Sequence, residues 1–343
     1  MGVSLFCLTG TCFAETSPDH YRWVRQNSGT RATLTCADGI GSNRVVAGGT
    51  GNTLLLFNGE SWTDFPGWKT YSESDLWKAK RIEDVVLDTH GQPHVVGNSN
   101  SYAWYDGTAW NAVDVCDETG ELRKIWIDRA TGIVLTGGRG NVIYQLKWHQ
   151  IKRDEKRPVS IEKTHGGYFK SRSITGIAGT DIDHVWATVD TPVFGIRRLG
   201  MLFSFSEAGG EPGWLLQVPP EGVLISNPRQ MHFLSPALIL FGGYGDIPLG
   251  IWSEKDDPAT IQPFPIQPAS SVRAIYAHSL DKIWILDADG QLVFFNGSTW
   301  QLIPLGTPAV LRGIVALKDH AHLWVFGTQG AIFYGSPDEQ SDL

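Results

Sequence analysis

The 343-residue chain has only four cysteines and three methionines, and no apolar run long enough to cross a membrane. Two of the cysteines, Cys7 and Cys12, fall in a leader-like N-terminal segment. The other two, Cys36 and Cys116, lie about eighty residues apart, which excludes a disulfide framework and a zinc site of closely spaced ligands. They read as two buried small apolar side chains. No long window shows the 3.6-residue apolar stripe of a helix bounded by caps, so a helical bundle is excluded. Excess positive charge is also missing. The net charge is -8, which argues against nucleic acid as a partner and favours solubility. There is no Gly-x-Ser-x-Gly elbow for a hydrolase nucleophile.

What the sequence has in quantity is glycine (39) and tryptophan (14). Many glycines serve many tight turns, and many aromatics cover broad sheet faces. One phrase recurs: FNGESWTDF from Phe57, YDGTAWNAV from Tyr105 and FNGSTWQLIPL from Phe295. Asn-Gly and Asp-Gly tolerate the positive φ of a two-residue hairpin turn, so each phrase is expected to join two strands. The tryptophan just beyond would open the outer strand and pack between neighbouring units. Trp62, Trp110, Trp148, Trp214 and Trp300 hold this position. A recurring aromatic at a repeat position is packing rather than a ligand contact.

A second phrase is short, apolar and suited to a strand buried on both faces: RVVAGG, PHVVGN, IVLTGG, HVWATV, LILFGG, KIWILD and HLWVFG. The seven copies recur at roughly 40–55 residues, the spacing of propeller blades. The last copy ends with a third strand, AIFYGS, and no fourth. YRWVRQ, Tyr21 to Gln26, precedes the first full copy. The expected fold is therefore all-β: a seven-bladed β-propeller, its ring closed by an N-terminal strand that completes the last blade. Residues 1–14 read as an export signal, 15–337 as one propeller domain and 338–343 as an acidic tail.

The leader, MGVSLFCLTGTCFAETS, runs from an apolar stretch into small and polar residues, with a cut expected after Ala14. No Lys or Arg precedes the apolar stretch. Either the true start lies upstream or the segment is not a signal. The location taken forward is periplasmic or secreted.

The blade phrase resembles that of kelch-type propellers: a Gly-Gly doublet ends the second strand, an aromatic follows in the third, and a tryptophan opens the fourth. Gly48-Gly49 with Phe57 and Trp62 match it, as do Gly137-Gly138 with Tyr144 and Trp148; Gly242-Gly243 gives a third doublet. The turn is also similar to the Asp-box of sialidase-like propellers, with the Asp/Asn-to-Gly step one residue short. The resemblance is to bacterial secreted propellers with degenerate repeats. It implies the fold and leaves the function open, because one scaffold hosts many activities.

Motifs of chemistry are sparse. GGTGN at Gly48 and GGRGN at Gly137 lead into strands, so they are hairpin turns and not phosphate cradles. DADG at Asp287 lacks the further ligands of a calcium loop, and TDID at Thr180 sits in a turn; both pairs read as solvated turn carboxylates. His90 with His94, and His320 with His322, each lack a third metal ligand. No nucleophile, base and electrophile converge, so no catalytic residue, no cofactor and no metal is expected.

Two insertions break the repeat. Lys147 to Arg172 carries eight Lys/Arg and three Asp/Glu, a local +5 against -13 for the rest. It is expected to bridge the third and fourth blades. Lys69 to Arg81 joins the first and second blades and is expected to expose Tyr71 and Trp77 beside lysines. Successive joins emerge on one face of a propeller. The expected docking patch is therefore Lys69, Tyr71, Trp77, Lys78, Lys80, Arg81, Lys152, Arg153, Lys156, Arg157, Lys163, Lys170 and Arg172, facing an acidic protein partner, alone or in a multi-subunit complex. The TPVFGIRRLGM stretch adds Arg197 and Arg198 on a face the sequence does not place. The leading expectation is a non-enzymatic binding or assembly propeller. The alternatives are a carbohydrate-binding propeller using Trp77 and Trp104, and a glycan hydrolase with carboxylates at the channel mouth.

Overall fold

The computed structural model describes residues 20–338, apart from 42, 116–120, 140–141, 148–156, 161–172, 193–197, 207–212, 218–227, 245–246, 256–260 and 318–320. The leader, Cys116, Trp148, His320 and the last five residues lie outside the described residues.

Strand β1 (Tyr21–Gln26) comes first. The first full sheet holds β2 (Leu34–Ile40), β3 (Arg44–Gly49), β4 (Leu54–Phe57) and β5 (Trp62–Asp64). A short helix, α1 (Trp68–Ser72), leads to β6 (Ile82–Leu87), β7 (Pro93–Gly97), β8 (Ser101–Tyr105) and β9 (Trp110–Asp114). The third sheet is β10 (Leu122–Asp128), β11 (Ile133–Gly138), β12 (Val142–Lys147) and β13 (Arg157–Ser160). The fourth is β14 (Ser173–Gly179), β15 (Val185–Pro192), β16 (Arg198–Ser206) and β17 (Gly213–Gln217). Then come β18 (Pro228–Ser235), β19 (Leu238–Gly243), β20 (Leu249–Ser253) and β21 (Ile261–Pro263), followed by β22 (Val272–Ser279), β23 (Lys282–Asp287), β24 (Leu292–Phe295) and β25 (Trp300–Ile303). The last three strands are β26 (Leu311–Ala316), β27 (Leu323–Gly327) and β28 (Ile332–Pro337).

These strands make seven four-stranded antiparallel sheets, each a meander except the last, in which β26, β27 and β28 are joined by β1. The first strand of each sheet lies beside the first strands of its two neighbours, and the circuit β2–β6–β10–β14–β18–β22–β26 returns to β2. That is the inner wall of a β-propeller. The apolar second-strand phrases are β3, β7, β11, β15, β19, β23 and β27, each sandwiched between a first and a third strand. The last sheet has the order β1-β28-β27-β26, so the N-terminal strand supplies its outer edge, pairing Tyr21 with Pro337 through Gln26 with Ile332.

The Asn-Gly and Asp-Gly turns differ from the two-residue hairpins expected. Phe57 pairs with Trp62, Tyr105 with Trp110 and Phe295 with Trp300, which leaves four residues in each loop. The side-chain oxygen of Asn58, Asp106 or Asn296 accepts two backbone N–H groups within the loop, at 2.8–3.1 Å. The glycine supplies the positive φ, +99° at Gly59 and +96° at Gly107. The first residue is thus an anchor, which is why only Asn or Asp appears there. Outer-strand tryptophans cross to the preceding blade: Trp300 donates to the Ile266 carbonyl at 2.8 Å, and Trp110 to that of Pro66 at 3.2 Å.

Asp287 is not the solvated carboxylate expected of a surface turn. It is buried and accepts the N–H groups of Asp289 and Gln291. Asp88 makes the same turn with DTHGQ in place of DADGQ, accepting from His90 and Gln92 at 2.8 Å each. His94 is fully buried behind it, 3.8 Å from the Asp88 carboxylate and 2.5 Å from the hydroxyl of Tyr102, also fully buried. Burial pushes the Asp88 carboxyl up, but bonds from His94 and the N–H groups of Gln92 and His90 outweigh it and hold the group below its ordinary value. A depressed carboxyl contributes stability above its unfolded pKa near 3.8, and that contribution is lost as pH falls through the lower folded value. Asp88→Asn is expected to cost about 1–2 kcal/mol in urea unfolding at pH 7 and to flatten the loss of stability below about pH 4. An unchanged acid limb would contradict this account.

Candidate functional site

The insertion before the second blade is built from its aromatics outward. Gly67, at φ +70°, turns the backbone into α1. Trp68 packs on Trp110 with ring centroids 4.5 Å apart and on Trp77 at 5.1 Å. Phe65 meets Tyr105 and Trp110, and Tyr71 stacks on Trp110. Asn52, in the β3–β4 turn, clamps the insertion. Its carbonyl accepts the indole N–H of Trp68 at 2.7 Å, its side-chain oxygen that of Trp77 at 3.2 Å, and its amide donates to the Ala79 carbonyl. The insertion is a folded clasp over the seam between two blades.

This corrects part of the expected patch. Trp77 is buried at 4% exposure and Tyr71 is half-buried. Burial pushes the Tyr71 phenol up to about 12. The aromatics are core because stacking them removes more apolar surface from water than either blade alone can offer. Trp104 is half-buried and lies flat on Tyr102, 5.4 Å between ring centroids. Neither Trp77 nor Trp104 is a free platform for a sugar ring.

The polar residues of the clasp do face outward. Lys69, Lys78, Lys80 and Arg81 are exposed, and Leu76 is exposed at 65%. Lys78 pairs with Asp114 at 2.9 Å and Arg81 with Glu83. Such surface pairs hold little energy and exchange readily. Among the described residues neither Lys69 nor Lys80 has a carboxylate partner.

The second insertion does not bridge two blades as a unit. Arg157 opens β13, the outer strand of the third blade, and pairs with Gln145. Lys152, Arg153 and Lys156 therefore fall between β12 and β13, whose facing ends lie at one end of the blade. Lys163, Lys170 and Arg172 fall between β13 and β14, whose ends lie at the other. Only the latter end is shared with the Lys69–Arg81 clasp. All six residues lie outside the described residues. Arg198 opens β16 after the β15–β16 hairpin, at the same end as the clasp; Arg197 is outside the described residues.

A cavity of about 320 Å³ opens into the channel along the inner strands of the first five blades. It exists because β14 presents Gly176, Ala178 and Gly179 there. Its charged residues, which the sequence alone did not single out, tie blades together. Asp38 accepts the Leu87 N–H at 2.7 Å and a guanidinium N–H of Arg129 at 2.6 Å. Asp84 accepts the Ile125 N–H at 3.3 Å, with the Lys124 ammonium 3.7 Å away. Burial pushes the Asp84 carboxyl up, against the pull of Lys124 and of the Ile125 and Val85 N–H groups. Each carboxylate reaches from one blade to the next, a rung that the blade-by-blade sequence pattern does not show. Both carboxylates are engaged in these blade-to-blade bonds.

In the last blade His322 stacks on the ring of Tyr334. Among the described residues no three His, Cys, Asp or Glu side chains cluster as a metal site. Cys36 is buried and free, and burial raises its thiol well above the usual value. Among the described residues no helix is long and apolar enough to cross a membrane.

No family model matches this protein, and no curated protein matches it. Solved structures do. YCF48 bound to D1 peptide superposes with a TM-score of 0.66 at 12% identity, covering 94% of this chain and 97% of that one. The WD40 repeats of RRP9 superpose with a TM-score of 0.64 at 8% identity, covering 94% and 98%. At these identities the likeness is one of fold: the protein is similar to β-propellers along nearly its whole length.

Proposed function

We propose that the protein is a non-enzymatic protein-binding propeller, an exported accessory or assembly subunit that docks an acidic surface of its partner. The observation that carries this reading is the clasp. Its aromatics are spent on internal packing, and the result is a rigid platform from which Lys69, Lys78, Lys80 and Arg81 project around an exposed leucine. A backbone already folded into the clasp loses little entropy on docking, and a positive patch on a net-acidic protein steers an acidic partner into one orientation. The overlap in fold with a propeller solved with a peptide bound supports the use of such a scaffold for polypeptide recognition. Arg198, at the start of β16, lies at the same end of the blades.

The test is affinity capture from the source cells with the wild type and with Lys69→Glu/Lys78→Glu/Lys80→Glu/Arg81→Glu. The wild type is expected to recover a stoichiometric protein partner, and the variant to bind it about tenfold more weakly or worse, with loss of salt sensitivity. Equal recovery by both would remove the clasp from the interface.

A further inference from the structure

Every inner strand slips register one residue into the strand, and the slip leaves one residue outside the pairing. The slipped residue is Glu83 in the second blade and arginine in four others: Arg123, Arg229, Arg273 and Arg312. Arg81 immediately precedes β6, so this end of the inner strands is the end at which the clasp enters. The arginines and the clasp share one face.

The described arginines differ in what holds them. Arg123 pairs with Glu121 at 2.9 Å. Arg273 donates to the carbonyls of Asp287 and Ala288 in the turn of its own blade, at 3.4 and 2.5 Å. Arg312, half-buried in the next blade, has no ion pair among the described residues, and its Nε is buried without an acceptor. Burial, and then the positive charge of Arg273, lower its pKa, and the Tyr244 phenol is the one group that opposes them. β22 and β26 lie side by side, so the positive charges of Arg273 and Arg312 oppose each other, and an anion bound between them relieves that repulsion. A guanidinium presents two parallel N–H donors that match a carboxylate.

We propose that Arg312 and Arg273, at the channel mouth beside Tyr244, form a subsite that takes a carboxylate of the docked partner. The proposal rests on the protein-binding reading above and adds to it the chemical group that enters the mouth. Two sources share that chemistry, a polypeptide C-terminus and an Asp or Glu side chain.

The experiment is fluorescence anisotropy with three labelled peptides of equal length: an amidated glutamate-rich peptide, a Gly/Ser peptide with a free C-terminal carboxylate, and an amidated Gly/Ser peptide. The first or second is expected to bind and the third not, and the one that binds identifies the source. Arg312→Gln is expected to weaken binding about tenfold or more, and Arg312→Lys to fall between, since it keeps the charge and loses the fork. Near-UV circular dichroism establishes that each variant is folded. The clasp charge reversal is expected to leave this short-peptide binding in place, so failure of the subsite and failure of the docking face give different patterns. Binding by neither carboxylate peptide, or binding that survives both Arg312→Gln and Arg273→Gln, overturns the proposal.

Discussion

Replacing Gly138 with alanine is expected to destabilise the propeller by about 3 kcal/mol or more, enough to leave it largely unfolded at moderate urea. A Cβ at Gly138 would sit against the Glu121 carbonyl and the Arg123 N–H. Neither can move without breaking the entry to β10. The same is true at Gly49 against the Thr33 carbonyl and at Gly327 against that of Val310. The glycine before it faces the other way. A Cβ at Gly48 would meet Ile82 of the next blade at 2.8 Å, and one at Gly242 would meet Val272 at 2.5 Å. The doublet is therefore two close approaches in succession, one to the next blade and one to the segment entering its own blade. Gly51→Ala is the control. It has positive φ and nothing within 4 Å, so it is expected to cost only about 1 kcal/mol. If Gly138→Ala and Gly51→Ala cost the same, close packing does not explain the doublet.

Removal of the segment through Gln26 is expected to lower the thermal midpoint on the order of 10 °C and to make the protein aggregate. β1 covers the full length of β28. Tyr21 also packs edge-on against Trp284 of the neighbouring blade, 5.2 Å between centroids. Just beyond β1 the Ser28 hydroxyl donates to the Gly330 carbonyl at 2.7 Å, and the Gly330 N–H donates to Ala32 at 2.8 Å. The N-terminal and C-terminal segments are thus laced together at one seam. On the other face of this closing blade Trp324 packs against Phe57 and Trp62 of the first blade, at 4.7 and 5.3 Å. Trp324→Ala is expected to cost about 3–5 kcal/mol, as for a buried aromatic. Its effect and that of the β1 deletion should add incompletely, because β28 pairs with both β27 and β1 in the one closing sheet. A truncated protein with an unchanged melting curve would show that the ring does not depend on this strand.

The repeat made the fold legible because strand alternation and turn residues are local. Each RVVAGG-like run needs two apolar faces wherever it stands, and each Asn/Asp-Gly step needs its positive φ. Loop length was misread at those steps because the anchoring bond runs from Asn58 to backbone N–H groups two and three residues on, a geometry the dipeptide does not reveal. The clasp was misread for a different reason. Trp77 next to Lys78 looks like a docking pair in sequence, but Asn52, twenty-five residues away, accepts its indole N–H and turns it inward. The arginines of the mouth were invisible for want of register. Arg123, Arg273 and Arg312 share no local motif, and they align only once the bulge in each inner strand is known.

Hydrogen exchange on the purified complex with its captured partner tests the central claim most directly. The account predicts slowed exchange in the backbone from Lys69 to Arg81 and at the first residues of the inner strands, with the Asn58, Asp106 and Asn296 loops unchanged. Protection confined to those loops, at the opposite end of the blades, would contradict it.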